Sequence, residues 1–434
     1  MIRSTIGGNL SEMNGTSLTQ LNNLPRIHQA VILAGGQGLR LRPLTLHTPK
    51  PMIMFHGKPF LAYIIDQLKD NGITDIVLLV GYLHEKIESY FGNGKNCGVR
   101  ITYSYSPVED GTGTRLQRAL PFLADEFLLL YSDNYWPLNV VDLIRFYRDM
   151  GTEATVTVYD NADRYTKNNI FVDQKGFVTA YDRERNQKNL NGVDIGYFLI
   201  KKSVLSLIPE GNSSFEDTVL PALMKKGNLG GFVTNKRYYG LSNLERLPEI
   251  KKFLKSKKII FLDRDGIINR KPPKGTYVTN WSEFKFLSDV KKALRTLVKK
   301  GYEICIITNQ PGIARDMMTK KDLDTIHKKM VAELAISGIN IKKIYVCPHG
   351  WDEGCSCRKP NPGLLLQAAR ENAIDLSKTF FIGDDERDVV AGQRAGCKTV
   401  YVAESPSTSL LTAQPDIIAP SLSVGVKKIL FGNL

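Results

Sequence analysis

Two α/β domains in tandem, each built on a doubly wound sheet, are what the sequence predicts. Three observations carry the expectation. Short apolar runs recur along the chain, each closing on glycines or carboxylates, and stretches of helical spacing alternate with them in a βαβ rhythm. Runs such as Ile259 to Leu262, apolar at every position, read as strands covered on both faces. Finally, 434 residues exceed what one ordinary core organises.

Residues 1–26 are rich in Ser, Thr, Asn and Gly without a sustained period and read as a mobile extension. A first domain is expected over residues 27–250. It opens with the buried strand His28 to Ala34, which runs into Gly35-Gly-Gln-Gly-Leu-Arg40. Glycines at 35, 36 and 38 let a backbone approach a ligand closely and leave N–H groups free to cradle phosphates. In Thr48-Pro-Lys-Pro-Met-Ile53, prolines on both sides of Lys50 restrict its backbone and aim the ammonium at the same pocket. Phe60 to Asn71 has helical spacing, and Ile73 to Val80 is another strand. Gly111-Thr-Gly-Thr114 precedes a helix expected from about Leu116, where amides of Gly111 and Gly113 could meet a base or phosphate. Glu126 to Asp133 is a buried strand ending in a carboxylate.

The run GGxGxRLxPLTxxxPKP at 35–51 resembles the signature of the sugar-1-phosphate nucleotidyltransferases. The resemblance implies that Gly35, Gly36, Gly38, Arg40 and Lys50 hold a nucleoside triphosphate and that Asp133 holds magnesium. Asn191 to Ile200 resembles the family's sugar-contacting strand, and Ser214 to Pro221 its following helix. Two departures stand out. GTGTR replaces a GTGGA-like run, and Tyr238-Tyr-Gly-Leu-Ser-Asn-Leu-Glu245 puts Gly240 where many relatives carry a second metal-binding aspartate. Either Asp217 or Asp194 substitutes, one metal contact suffices, or transfer is slow or lost.

A lysine-rich amphipathic helix, Leu247 to Lys258, leads without a Gly/Ser or Pro linker into a second domain expected over 257–434. Its first strand ends in Asp263-Arg-Asp265, two carboxylates at i and i+2 on one side, which repel unless a cation or proton lies between them. A second strand in Gly301 to Gln310 delivers Thr308 and Asn309, and a third in Phe380 to Asp388 delivers Asp384 and Asp385. Between them Arg358-Lys359-Pro-Asn-Pro-Gly363 sets a basic pair in a proline-fixed turn. Helices are expected at Val290 to Lys299 and near Lys321 to Ser337, and a strand at Ile341 to Val346. No gap leaves room for a large lid, so loops such as Lys271 to Trp281 shape an open cleft.

Cys347, His349, Cys355 and Cys357 fall within eleven residues as CxHx5CxC. Four such ligands fit closed tetrahedral zinc, holding the loop and aiming Arg358 and Lys359.

The order strand-DxD, strand-Thr, Lys-Pro, strand-GDD resembles the haloacid dehalogenase superfamily of aspartyl-phosphate phosphatases, in a capless form. With CPH…CxCRKPxPG and Thr308-Asn-Gln-Pro-Gly-Ile-Ala-Arg315, the resemblance narrows to its heptose-1,7-bisphosphate phosphatase and histidinol-phosphatase branch. It implies Asp263 as nucleophile and Asp265 as acid and base. Thr308, Asn309 and Lys359 would stabilise the phosphoryl group, and Arg358 and Arg315 would contact substrate. Magnesium would lie on Asp263, the Asp265 carbonyl and Asp384, with Asp385 assisting and Asp388 behind. Fusion to a nucleotidyltransferase favours the heptose member, because removing the 7-phosphate leaves the heptose 1-phosphate that the first half needs.

Composition narrows the alternatives. The net charge of +14 comes from scattered lysines with no aromatic-basic stripe, which suits phosphorylated heptose and nucleoside triphosphate rather than nucleic acid. No apolar run is long enough to span a bilayer, and six cysteines without a framework fit a reducing, cytoplasmic setting. Homo-oligomerisation is left open. Three readings follow: a bifunctional enzyme of nucleotide-activated heptose, using GTP by the heptose analogy; a histidinol-phosphatase-like hydrolase fused to a transferase relative of other purpose; or a phosphatase regulated by a first half that only binds nucleotide or sugar.

Overall fold

The computed structural model describes residues 27–255, 257–403 and 413–432, so the extension expected at 1–26 lies outside the described residues. The chain divides into two compact units, Met1–Leu254 and Lys255–Leu434. Both are α/β. Among the described residues no helix is long and apolar enough to cross a membrane.

Seven strands form the sheet of the first unit: β1 (Gln29–Ala34), β2 (Asp75–Val80), β3 (Arg100–Tyr105), β4 (Glu126–Tyr131), β5 (Ala154–Tyr159), β6 (Val193–Lys201) and β7 (Leu229–Thr234), in the order β7-β5-β6-β4-β1-β2-β3. Strand β6 runs antiparallel to both neighbours and the other pairs are parallel, so the sheet is mixed. The helices are α1 (Phe60–Asp70), α2 (His84–Phe91), α3 (Thr112–Ala119), α4 (Val140–Met150), α5 (Phe215–Lys225) and α6 (Leu247–Leu254). Every residue of β1 is buried. Val31 and Leu33 join Val77, Leu79 and Phe127 on one face, where Leu116 of α3 and Phe215 and Val219 of α5 cover them. Each such side chain contributes about 1.5–3 kcal/mol by leaving water. Helix α6 stops at Leu254, short of the Lys258 expected from sequence, because the following lysines lead into the next unit's first strand.

The register of β6 against β5 shifts between Asp194 and Phe198. Gly196 takes φ 76° there and its amide donates to Asp194 Oδ1 at 2.8 Å, while the Tyr181 hydroxyl donates to Oδ2 at 3.2 Å. Burial pushes the Asp194 carboxyl up to about 6, against these two donors.

In the second unit six parallel strands stand in the order β10-β9-β8-β11-β12-β13: β8 (Ile259–Leu262), β9 (Glu303–Asn309), β10 (Ile341–Cys347), β11 (Phe380–Gly383), β12 (Lys398–Val402) and β13 (Ile417–Ala419). Successive side chains diverge to opposite faces. Ile260 and Leu262 face α7 (Val290–Lys299), α8 (Lys320–Ile336) and α11 (Leu422–Phe431), whereas Ile259 and Phe261 face α9 (Gly363–Asn372) and α10 (Glu386–Ala395). The sheet is therefore doubly wound, and the C-terminal ends of β8, β9 and β11 share one edge, where such sheets hold ligands. Strand β10 runs one residue beyond expectation, which makes Cys347 its last residue.

Asp194→Asn is expected to raise the thermal midpoint at pH 8. The wild-type carboxyl has a folded pKa above its unfolded value, so its ionisation costs stability as pH rises from about 4 to 6. The advantage of the variant should therefore fade as pH falls through that window, which a series of melts from pH 4 to 8 reads directly.

Candidate active sites

At the β8/β11 edge the acidic side chains converge. Oxygens of Asp263, Asp384 and Asp388 all lie within 4.8 Å of one another. Asp263 follows β8, Asp384 follows β11, and Asp388 stands in the first turn of α10, four residues on. Gly266, at φ 91°, lets the loop after β8 close over Asp384, since a Cβ there would meet Oδ2 at 2.2 Å. The Asp384 Oδ1 atom is buried and has no hydrogen-bond partner. Burial, then the charge of Asp263, push its pKa up to about 6, against Lys271, whose Nζ lies 2.7 Å from Oδ2. Three converging carboxylates with an orphaned oxygen fit a hard divalent cation.

Lys359 answers part of this charge. Its ammonium is buried, 2.8 Å from Asp263 Oδ1 and 2.6 Å from Asp388 Oδ1, and it also donates to the Ile307 carbonyl at 3.2 Å. Burial raises the pKa of both carboxyls and Lys359 opposes it. The Asn309 side chain makes two bonds to the Lys359 backbone, each 3.1 Å, so it positions the lysine rather than facing substrate as expected. Thr308 is buried and its hydroxyl accepts from Gln310 Nε2 at 2.8 Å.

Asp265 differs from the protonated acid that sequence reasoning expected. Its carboxylate accepts from Arg264, with Nη2 2.9 Å from both oxygens, from Asn269 at 2.8 Å and from Gln310 at 2.9 Å. Although burial opposes them, these donors hold its pKa below the usual range, so the base form is the one stabilised. The side chain is turned to them, and the carboxylate that completes the acidic cluster is Asp388. Arg264 is fully buried and its Nη1 lies 3.2 Å from His327 Nε2. Burial and then the Arg264 charge push the imidazole down to about 3, so Nε2 accepts. Asp385 is likewise outside the cluster. It caps α10 and, against its burial, the Arg387 guanidinium holds its carboxyl well below the usual range. Lys271 escaped the sequence reading. The spacing Asp384-Asp-Glu-Arg-Asp388 across a strand-to-helix turn was the available signal for Asp388.

Beside this site the three thiols and the imidazole converge. Sulfur separations are 3.4, 3.5 and 3.7 Å, and His349 Nδ1 lies 3.2 Å from Cys357 and 3.5 Å from Cys347. Sulfurs bonded to each other would lie at about 2.05 Å, whereas the edges of a tetrahedral zinc-thiolate site are about 3.8 Å. Burial, then the two neighbouring thiols, push the Cys357 pKa up, a repulsion that a central cation would relieve. Arg358 donates to the His349 carbonyl at 3.2 Å, and Arg315 to the Tyr277 hydroxyl at 2.9 Å.

In the first unit Lys50 and Asp133 come together, 2.5 Å apart. Gly38 is left-handed at φ 63°, Gly36 opens on free space, and Arg40 is exposed beside them. Gly35 lies against the buried Arg115, which binds the carbonyls of Pro107 and Val108 at 2.8 and 3.0 Å. Arg115 is the arginine of the GTGTR run.

Three expectations are corrected. Helix α3 starts at Thr112, inside the glycine run, not near Leu116. The Gly111 amide donates to Asn212 at 2.6 Å and the Gly113 amide to Ser213 at 3.0 Å, so both serve the chain at 212–213 rather than standing open. The substitutes for the missing aspartate are engaged elsewhere: Asp217 pairs with Arg183, and Asp194 with Tyr181 and Gly196. At Gly240 itself a Cβ would meet Asn134 Oδ1 at 2.6 Å. Among the described residues no group of three or more potential ligands includes Asp133. The described residues of this unit bring no closed set of ligands around Asp133.

Known proteins resemble stretches of both units. A family model described as nucleotidyl transferase matches residues 29–239, and one described as a HAD-hydrolase-like family matches 356–424. The chain is 42% identical over 146 residues to a D-glycero-beta-D-manno-heptose-1,7-bisphosphate 7-phosphatase of Helicobacter pylori, covering 33% of this chain and 83% of the relative. It is 35% identical over 155 residues to a D-glycero-alpha-D-manno-heptose-1,7-bisphosphate 7-phosphatase of Photorhabdus laumondii, covering 34% and 83%. A crystal structure of HddC from Yersinia pseudotuberculosis aligns with 52% of this chain and 99% of its own at 23% identity and a TM-score of 0.46.

Arg264→Met is expected to destabilise the second unit by about 3–5 kcal/mol, because it strands the Asp265 carboxylate without its charge partner. Arg315→Met, at an exposed position, should cost within about 0.5 kcal/mol. Denaturant unfolding of the two variants compares them.

Proposed function

This chain belongs to the D-glycero-D-manno-heptose-1,7-bisphosphate 7-phosphatase family, and on that footing we propose that its second unit removes the 7-phosphate of a heptose 1,7-bisphosphate. Its first unit then transfers a nucleotidyl group, GMP from GTP, to the heptose 1-phosphate so formed. The observation that carries the reading is the convergence of Asp263, Asp384 and Asp388 around Lys359. The curated relatives favour a heptose bisphosphate over histidinol phosphate as substrate.

In the first half-reaction an oxygen of Asp263 attacks the 7-phosphorus in line and the bond to the C7 oxygen breaks. Lys359 and the Arg264 amide, 2.7 Å away, hold Asp263 Oδ1, which leaves Oδ2 for attack. Asp265 gives a proton to the departing alkoxide. It then takes one from water, which attacks the phosphorus, releases phosphate and restores Asp263. Because its surroundings favour the base form, the acid form of Asp265 is the scarce one. Thr308 and Lys359 steady the transferring group, where positioning and charge supply most of the acceleration. Asp263, Asp384 and Asp388 would hold magnesium, which would neutralise charge between nucleophile and phosphate. Cys347, His349, Cys355 and Cys357 would hold structural zinc, keeping the Arg358-Lys359 turn in place.

In the first unit the sugar phosphate attacks the α-phosphorus of the triphosphate and expels pyrophosphate. Gly35, Gly36 and Gly38 would line the phosphates while Arg40 and Lys50 neutralise them. Nucleotide arrival would draw Lys50 from Asp133, leaving that carboxylate to hold the magnesium that a triphosphate brings with it. A second reading, a first unit that binds nucleotide with little transfer, is favoured by one observation: Gly240 offers no carboxylate and a side chain there would collide with Asn134.

Asp263→Asn should abolish phosphate release from heptose 1,7-bisphosphate while leaving nucleotide-sugar formation from heptose 1-phosphate, and Asp133→Ala should do the reverse. Phosphate release and nucleotide-sugar chromatography check both, with each nucleoside triphosphate in turn. Triphosphate binding without any nucleotide-sugar selects the second reading.

A further inference from the structure

One rim feature has no part in the chemistry above. Trp351 is 57% exposed on the cysteine loop, and two cations stand over its ring. The guanidinium carbon of Arg315 lies 4.9 Å from the ring centre and that of Arg358 5.9 Å. Each arginine is aimed by another contact, Arg315 by the Tyr277 hydroxyl at 2.9 Å and Arg358 by the His349 carbonyl at 3.2 Å. Tyr277, from the Lys271 to Trp281 loop, packs against the loop that carries Arg315, its ring 3.2 Å from where a Cβ on Gly312 would stand. Neither guanidinium has a carboxylate partner among the described residues.

A large indole left 57% exposed on a loop has little packing to account for it. An aromatic ring does attract guanidinium ions, and both of these lie within about 6 Å of the one ring. Two cations gathered over one ring repel each other until an anion joins them, and paired guanidiniums match the oxygens of a phosphate. The site is also well placed. Arg358 is the neighbour of Lys359, whose ammonium is 2.8 Å from Asp263, so consecutive residues address the reacting end and the rim.

We propose that Trp351 is a positioning residue, whose indole holds Arg315 and Arg358 together as one receptor for the phosphate that stays on the sugar. The inference rests on the bisphosphate reading above. It separates the two ends of the substrate: Asp263 and Lys359 meet the phosphate that leaves, and the Trp351 platform meets the one that remains.

The test uses the full chain and the variants Trp351→Ala and Trp351→Phe. Kinetics are measured with heptose 1,7-bisphosphate and with heptose 7-phosphate, which lacks the second phosphate, and zinc per chain is measured for each protein. Trp351→Ala should raise KM for the bisphosphate about five-fold with kcat within about two-fold, leave KM for the monophosphate unchanged, and keep its zinc. Trp351→Phe should restore most of the loss. Equal losses on both substrates, or loss of zinc in both variants, would assign Trp351 to holding the loop and overturn the inference. An unchanged KM for the bisphosphate would overturn it too, with the bisphosphatase reading intact. If the wild-type chain releases no phosphate from the bisphosphate, that reading fails and takes the inference with it.

Discussion

The buried ammonium of Lys359 between Asp263 and Asp388 is the interaction on which the second unit's architecture turns. Carboxylates taken out of water are tolerated only when opposite charge and hydrogen bonds compensate them. Here three come from different elements to one sheet edge, and a single buried cation meets two of them. Lys271 meets the third from the exposed side. The cluster thus carries more negative charge than its buried cation balances, which is the electrostatic condition for capturing a divalent ion. Neighbouring geometry serves that condition. Gly266 lets the backbone close over Asp384, and Asn309 fastens the Lys359 backbone with two bonds.

The cysteine loop belongs to the same logic. Cys357, Arg358 and Lys359 are consecutive, so whatever fixes the thiols also fixes the rim cation and the buried one. A few residues of irregular backbone could not hold an ammonium at 2.8 Å from a nucleophile by packing alone. A cation held by these four ligands would supply the rigidity that the short loop lacks.

Much of this was legible in the sequence. Runs apolar at every position, such as Ile259 to Leu262, announce strands covered on both faces, and the structure covers both. Carboxylates at the ends of such runs marked the sheet edge where the acidic cluster stands. What escaped were partners set by tertiary packing. No local pattern says that Asn309 turns to the Lys359 backbone or that Arg264 is buried against His327, fifty and sixty-three residues away. The glycines at 111 and 113 misled for a related reason. A glycine marks a place where something comes close, and here the visitor is the chain's own backbone at Ser213. The departure at Gly240 was visible at once, but its meaning needed the antiparallel pairing of Tyr239–Gly240 with Asn134–Tyr135, which puts the Asn134 side chain in the way.

Joining the two proposed activities in one chain has a chemical rationale, since hydrolysis at one end of the sugar would leave the other phosphate as the nucleophile for transfer. Phosphate release, and with it the order of the two steps, depends on the acidic cluster. Its most direct test is anomalous diffraction from crystals of the full chain soaked with manganese, a magnesium surrogate visible to X-rays. A peak coordinated by Asp263, Asp384 and Asp388 is predicted, and it should vanish in Asp384→Ala. Carboxylates that stay paired to Lys359 and Lys271 with no peak among them would contradict the account.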